Sequence, residues 1–312
     1  MFDLSLSSTK SRTEEKLCKE KLWYKRPIVI VYALLFLGFN GVIFNWSEGV
    51  WNLLSQFGFF FFLGLVGAFV ANSTGAGGGV IFIPFFYYLG FSEIQSVATS
   101  MAIQCFGMTA GAVSWLSHLS TKSDSINEDS LFIKRLLCIT GFSSIIGMLL
   151  GQYFIVIPGL TVEPIFQAFS ICFGVVLFFF TLAKKNYSRN DRTNTKWWEE
   201  IAIIITCLVG GVVTSWISVG VGEAIALLLF FLGFNTRLAV AIGVFTSSVS
   251  VLTGIIKHTL FSDNVSIEVL VFAGQAALVG GYLARHITAW LGGFYLKIFF
   301  SIWIFITGIL MI

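Results

Sequence analysis

Two hydrophobic stretches, each interrupted at mid-length by glycines, constrain this chain more than any other feature, because one is a copy of the other. Residues 64–91 read GLVGAFVANSTGAGGGVIFIPFFYYLGF, and residues 207–234 read CLVGGVVTSWISVGVGEAIALLLFFLGF. At an offset of 143, the separation of Leu89 and Leu232, one ungapped register runs from Leu65 to Gly111. It pairs Gly67 with Gly210, Gly77 with Gly220, Gly79 with Gly222, Gly90 with Gly233 and Gly111 with Gly254. Leu and Val coincide by accident in apolar chains, so the paired glycines carry the weight. Twin broken segments at corresponding places in two halves are the sequence mark of a membrane carrier's substrate site.

The membrane assignment follows from composition. Hydrophobic residues make up 56% of the 312 and charged residues 11%, whereas soluble domains carry about a quarter charged residues. Apolar segments are predicted at 27–45, 53–72, 79–91, 95–117, 132–155, 160–183, 198–214, 221–233, 235–256, 266–284 and 292–312. Most approach the ~20 residues that span a bilayer as helix, and none shows the ~10-residue alternation of barrel strands. The expected fold is an all-α polytopic membrane protein. Segments 79–91 and 221–233 are too short to cross and suit half-helices that turn back.

Loop charge gives an expected topology. Residues 1–26 hold seven Lys/Arg and 184–200 hold five, while 46–52 and 156–164 hold none. Positive loops stay cytoplasmic, which puts the first pair inside and the second outside. Lys122, Lys134 and Arg135 place the 118–131 loop inside as well. Segments 53–72 and 79–91 must then form a hairpin returning to the outer side. Each repeat becomes a hairpin plus three spans, an odd number of segments, so the second copy is inverted. The expected organisation is a cytoplasmic tail (1–26), an extra N-terminal helix and loop (27–52), a first repeat (53–183), a cytoplasmic linker (184–197) and a second repeat (198–312). Weaker correspondences continue the repeat: Phe166 with Phe300, Gly174 with Gly308, and the small-residue pair Gly147/Gly151 with Gly280/Ala284.

The glycine breaks are the candidate substrate site. In the first copy, Asn72, Ser73, Thr74, Gly75, Gly77, Gly78 and Gly79 form unwound backbone whose free N–H groups, at the start of a half-helix, suit an anion. A packing kink is the alternative reading. In the second copy Ser218, Gly220 and Gly222 correspond, and Glu223 replaces Val80. A carboxylate between long apolar runs points to function, here a coupling proton, against structural pairing with Arg237 or a helix end. Thr99, Ser100 and Gln104 after the first hairpin, and Thr246 and Ser247 after the second, can donate to anion oxygens without adding charge.

Other chemistry is poorly supported. The five cysteines (18, 105, 138, 172 and 207) are scattered singly, which suits small buried hydrophobes and gives no metal site or disulfide. His118, His258 and His286 fall at segment ends, as interfacial residues do. HExxH, GxSxG and Walker sequences are all missing, and no cofactor or nucleic acid is implied. A membrane-embedded enzyme acting on lipid phosphates would need clustered intramembrane Arg and acidic residues, and an uncoupled anion channel is a further alternative.

GAGGGVIFIP (75–84), LGF and VATS (89–91, 97–100), and GVGEA followed by the second LGF resemble the TauE/SafE sulfite exporter family, also called the four-toluene-sulfonate uptake permeases. The likeness extends over about residues 55–312. It implies a two-repeat carrier for sulfite, organosulfonates or related sulfur anions. The expected location is a plasma membrane of the bacterial inner-membrane type, with the N-terminus cytoplasmic by the loop charges and a homo-oligomer left open. The family's first glycine motif falls on Gly75, Gly77, Gly78, Gly79 and Pro84. Its second is kept only at Gly220 and Gly222, with Glu223 at the usual third glycine and Leu227 at the proline.

Overall fold

A chain this apolar must satisfy its backbone without water, and it does so as helices. The computed structural model describes residues 41, 50–122, 127–155, 161–183, 192, 194–291 and 293–311. The tail 1–26 and, apart from residue 41, the extra span expected at 27–45 lie outside the described residues. A short helix α1 (Val50–Phe57) comes first. Residues 56–312 form one compact unit. Its elements are α2 (Phe59–Thr74), α3 (Gly79–Tyr88), α4 (Glu93–Lys122), α5 (Asn127–Tyr153), α6 (Val162–Ala183), α7 (Trp197–Ile217), α8 (Val221–Phe231), α9 (Thr236–Leu260), α10 (Ile267–Leu291) and α11 (Gly293–Leu310). Six of these, α4 to α7, α9 and α10, are long and apolar enough to cross a membrane.

The unit is built for lipid outside and close contact inside. Phe62, Val66, Phe142, Phe179, Ile205, Val209 and Phe299 face outward, as hydrocarbon-facing residues must. The interior carries small and hydroxyl residues such as Ala98, Ala241, Ala277, Thr140, Ser144 and Ser250, which let helix backbones approach. Cys207 is buried as expected, but Cys138 and Cys172 stand on the outer surface and serve no core.

Both glycine-broken segments are hairpins. In the first, the Phe60 ring near the start of α2 lies 6.1 Å from that of Phe86 near the end of α3. Gly67, midway along α2, is covered by the Phe82 ring. The two arms therefore run antiparallel. In the second, Arg192 ahead of α7 donates to the Leu232 carbonyl just beyond α8 at 2.9 Å, and its guanidinium also pairs with Glu199 at 2.9 Å.

Helix pairing repeats when the halves are exchanged. Helix α2 packs along α10, and α7 along α5; α4 packs on α10, and α5 on α9; α4 meets α9, and α6 meets α11. Each half thus lends its fourth helix to the hairpin of the other. The glycines show why these contacts are close: Gly147 lies against the Leu208 carbonyl and Gly280 against the Leu65 carbonyl. Leu65 and Leu208 are partners at the same offset that relates the hairpins. Between α6 and α11, Gly174 rests on Phe305 while Gly308 rests on Ile171.

Candidate functional site

The two hairpins meet tip to tip at the centre of the bundle. Each tip reverses the chain with left-handed backbone at equivalent positions: Gly75 has φ 85° and Ser218 has φ 57°. A side chain is strained in that region, and Ser218 makes use of the one it has. Its hydroxyl donates to Ser100 Oγ at 3.1 Å and accepts from Gln104 Nε2 at 2.8 Å. Gly220 follows at φ 139°, which only glycine adopts readily.

Two side chains stitch the tips together. Gln104 of α4 accepts the Gly78 N–H at 2.8 Å through Oε1, and its Nε2 reaches the Ser218 carbonyl at 3.2 Å. Glu223, in the first turn of α8, uses both carboxylate oxygens: Oε1 accepts the Gly77 N–H at 2.6 Å, and Oε2 the Gly220 N–H at 3.0 Å. The second bond is the reach-back of a helix N-terminal clasp. The first crosses to the other hairpin. Gly77 and Gly220 are equivalent in the repeat, so one carboxylate joins matching donors of the two halves. Glu223 is 1% exposed, so both bonds form away from bulk solvent. Arg237, the partner weighed from sequence, is exposed at the start of α9 and makes no part of this arrangement.

The remaining tip glycines are spaces for backbone. A Cβ on Gly222 would stand 2.8 Å from the Gly75 carbonyl oxygen, 3.0 Å from that of Gly243, and closer still to Ser247 Oγ. One on Gly79 would strike the Ser218 carbonyl, and one on Gly78 would come within 2.8 Å of the Phe82 ring. Gly77 is looser, its nearest neighbours being Gln104 Oε1 at 3.2 Å and Glu223 Oε1 at 3.3 Å.

Of the sequence candidates, Thr74, Gly75, Gly77, Gly78, Gly79, Ser100, Gln104, Ser218, Gly220, Gly222, Glu223 and Ser247 gather at the tips. Four others do not. Asn72 donates to the Ala68 and Gly107 carbonyls, tying α2 to α4. Ser73 reaches the Ala284 carbonyl at 3.5 Å. Thr246 bonds back to Ile242 within its own helix, whereas the Thr74 hydroxyl, which donates to Val70, also accepts the Ala76 N–H at 3.4 Å in the first tip. Thr99 accepts the Ser266 N–H, closing the start of α10. Thr214, a residue sequence reasoning passed over, supports the second tip by accepting the Val221 N–H at 2.9 Å.

A small recess of about 10 Å³, room for about one water molecule, borders Glu223. Its lining includes Thr74, Glu223, Leu227, Phe230, Lys297 and Phe300. Lys297 was also missed, although a lysine five residues into the last apolar run is the kind of intramembrane charge that marks a site. Among the described residues, no group of three or more His, Cys, Asp or Glu could hold a metal ion.

No curated protein and no solved structure matched this chain. A family model did, that of the sulfite exporter TauE/SafE, over residues 60–311. The match takes in both hairpins, both long helices that follow them and the α6/α11 pair. The chain belongs to the sulfite exporter TauE/SafE family of membrane transporters.

Proposed function

We propose that this protein is a proton-coupled secondary transporter of a small sulfur anion, sulfite or an organosulfonate, and that Glu223 is the coupling group. One observation carries the reading: equivalent backbone N–H groups of the two hairpin tips, at Gly77 and Gly220, converge on the two carboxyl oxygens of one buried side chain, Glu223. Backbone donors at helix starts are an anion site. Here the protein's own carboxylate oxygens stand where oxygens of a bound oxyanion would be held.

Protonation changes this donor count. Ionised, Glu223 accepts from both tips. Protonated, it keeps one acceptor oxygen and presents an O–H to the other N–H, which frees a backbone donor and removes a negative charge. A substrate anion can then take the freed donor, so proton and anion load together. Release of both restores the clasp. Among the described residues, Lys297 is the other charged side chain lining the recess beside Glu223.

The pairing of helices with halves exchanged supports two repeats, 53–183 and 198–312, of opposite orientation, joined by a cytoplasmic linker (184–197). The N-terminus would be cytoplasmic, in a membrane of the bacterial inner-membrane type. Single cysteines introduced at Pro158 and Ser188 are expected to react from opposite faces of intact cells. Labelling of both from the same face would overturn the inverted arrangement.

The activity itself is tested by flux into proteoliposomes, with sulfite, thiosulfate, taurine, sulfoacetate and sulfate offered in turn under an imposed pH difference. At least one sulfur anion is expected to accumulate above its equilibrium level, and to stop doing so when the pH difference is collapsed. Movement that follows the anion's own gradient and ignores the pH difference would instead make the protein a channel.

A further inference from the structure

Two links cross between the halves at the hairpin tips, and each sits where the other half has no equivalent. Glu223 reaches from the second hairpin to the Gly77 N–H of the first at 2.6 Å, and the repeat register puts Val80 in its place in the first hairpin. Gln104 reaches from α4 to the second hairpin, its Nε2 donating to the Ser218 carbonyl at 3.2 Å and to the Ser218 hydroxyl at 2.8 Å. Its counterpart is Ser247, whose hydroxyl lies against Gly222 instead. The two links also act on consecutive donors, since Gln104 Oε1 accepts the Gly78 N–H at 2.8 Å. One link can change its charge and the other cannot: a carboxylate titrates and an amide does not.

The junctions beside these links differ as well. Ser218 with Ser100 is the repeat counterpart of Gly75 with Gly243. The first junction is closed by side chains, with Ser218 Oγ donating to Ser100 Oγ at 3.1 Å and Gln104 Nε2 donating to the same oxygen at 3.1 Å. The second is bare backbone. A Cβ on Gly243 would stand 2.8 Å from the Gly75 carbonyl oxygen and 2.9 Å from that of Gly222. Directional hydrogen bonds hold one geometry, whereas glycine faces in contact have no side-chain bond to break when they shift.

We infer that Gln104 is a positioning residue and the pivot of the transport cycle. It keeps the second tip on α4 at the Ser100–Ser218 junction, while loss of charge on Glu223 lets the first tip part from α9 at the Gly75–Gly243 junction. This rests on the transport reading above and adds to it which contact stays and which one opens. Among the helices packed on α4 and α8, α2 and α3 carry no acidic or basic side chain, and those of α7, α9 and α10 lie towards the helix ends. The Cys105 thiol beside Gln104 turns to the Val251 carbonyl at 3.5 Å, and Cys207 is packed in the apolar core. Lys297 of α11 lines the recess beside Glu223. Glu223 is therefore the carboxylate that shares the tips with Gln104.

Movement between α4 and α9 is tested by a tether. In full-length protein with its native cysteines replaced, Thr109→Cys on α4 and Ser248→Cys on α9 are introduced where the two hydroxyls lie 3.1 Å apart, a spacing that a disulfide can bridge. Oxidation is expected to stop exchange of the sulfur anion in proteoliposomes, and reduction to restore it. Exchange that survives complete oxidation would overturn the inference.

The pivot itself is tested by Gln104→Glu in protein that already carries Glu223→Gln, where no carboxylate remains at the tips. When protonated, the new side chain reproduces the amide, accepting from Gly78 and donating to Ser218. When ionised, it sets an oxygen against the Ser218 carbonyl with no proton between them, and the link opens. The link is thus present at acid pH and lost as pH rises. Anion exchange and melting temperature in detergent are both expected to fall with rising pH in the doubly substituted protein, over a range where Glu223→Gln alone shows no change. Parallel profiles for the two proteins would reduce Gln104 to packing and overturn the inference. If the unmodified protein exchanges none of the sulfur anions, the substrate reading fails, and the melting profile still decides whether Gln104 holds the tips.

Discussion

Glu223→Gln is expected to abolish accumulation driven by a pH difference while leaving binding of the anion in place. The amide has the donor and acceptor layout of the protonated acid, one oxygen that accepts and one nitrogen that donates. It can satisfy either the Gly77 or the Gly220 N–H but not both, whereas the carboxylate satisfies the two together. The variant is thus fixed in the state that leaves one tip donor for substrate. Binding measured by quenching or calorimetry should lose its pH dependence, and proteoliposomes should equilibrate the anion without concentrating it. Glu223→Ala separates the structural contribution, since it orphans two buried donors at about 1–3 kcal/mol each and should lower thermal stability in detergent where Gln does so less. Continued concentrative uptake by the Gln variant would reduce Glu223 to a clasp between hairpins.

The second large effect is expected at Gly222. Gly222→Val places carbon within 3.0 Å of two backbone oxygens, those of Gly75 and Gly243, and backbone at the meeting point of two hairpins cannot swing aside as a side chain can. Overpacking ordinarily costs about 1–3 kcal/mol, occasionally more, and here it must force the tips apart. The variant is expected to lose transport completely and to unfold at lower temperature. Gly77→Ala is the contrasting case. Its new methyl group meets only the ends of Gln104 and Glu223, at 3.2 and 3.3 Å, so the protein should fold normally and show its defect in pH coupling. Equal stability loss in both variants would mean that the tips pack more loosely than the glycine contacts require.

Most of the architecture could be read from the chain because the signals were local. Unbroken apolar runs became the six long spans, and the short runs after the glycines became α3 and α8. The hairpin turn at Gly75 was visible because a bilayer tolerates so few reasons for clustered glycines. The repeat register of 143, for which the paired glycines carried the weight, relates Leu65 to Leu208, and these two accept equivalent close contacts from Gly280 and Gly147. Loop charge could suggest an orientation for the same reason: it is a sum over a few exposed residues and requires no knowledge of packing.

The site was legible only in outline. Composition and spacing picked out the glycines, Gln104 and Glu223, yet could not separate Ser247, which lies against Gly222, from its neighbour Thr246, which bonds to its own helix. A hydroxyl one position along a helix points about 100° away, and which direction faces the tips depends on how α9 lies against α8. Arg237 looked like a partner for Glu223 because both are charged and near in sequence. Tertiary structure places Arg237 at the exposed start of α9 and gives Glu223 two backbone donors from different hairpins. Lys297 was passed over because it belongs to a segment whose repeat is faint, and its place beside Phe230 and Thr236 is set by how α11 packs.

By itself, then, the sequence determined that the chain is a duplicated helical membrane protein broken twice by glycines, because hydrophobicity, helix length and backbone freedom act over a few residues at a time. What only the tertiary structure decided is that the two breaks meet and that one carboxylate bonds to both. Those properties depend on residues more than a hundred positions apart being brought within hydrogen-bonding distance, as with Gly77 and Glu223. Distances of that kind are fixed by how whole helices pack, and no local pattern encodes them.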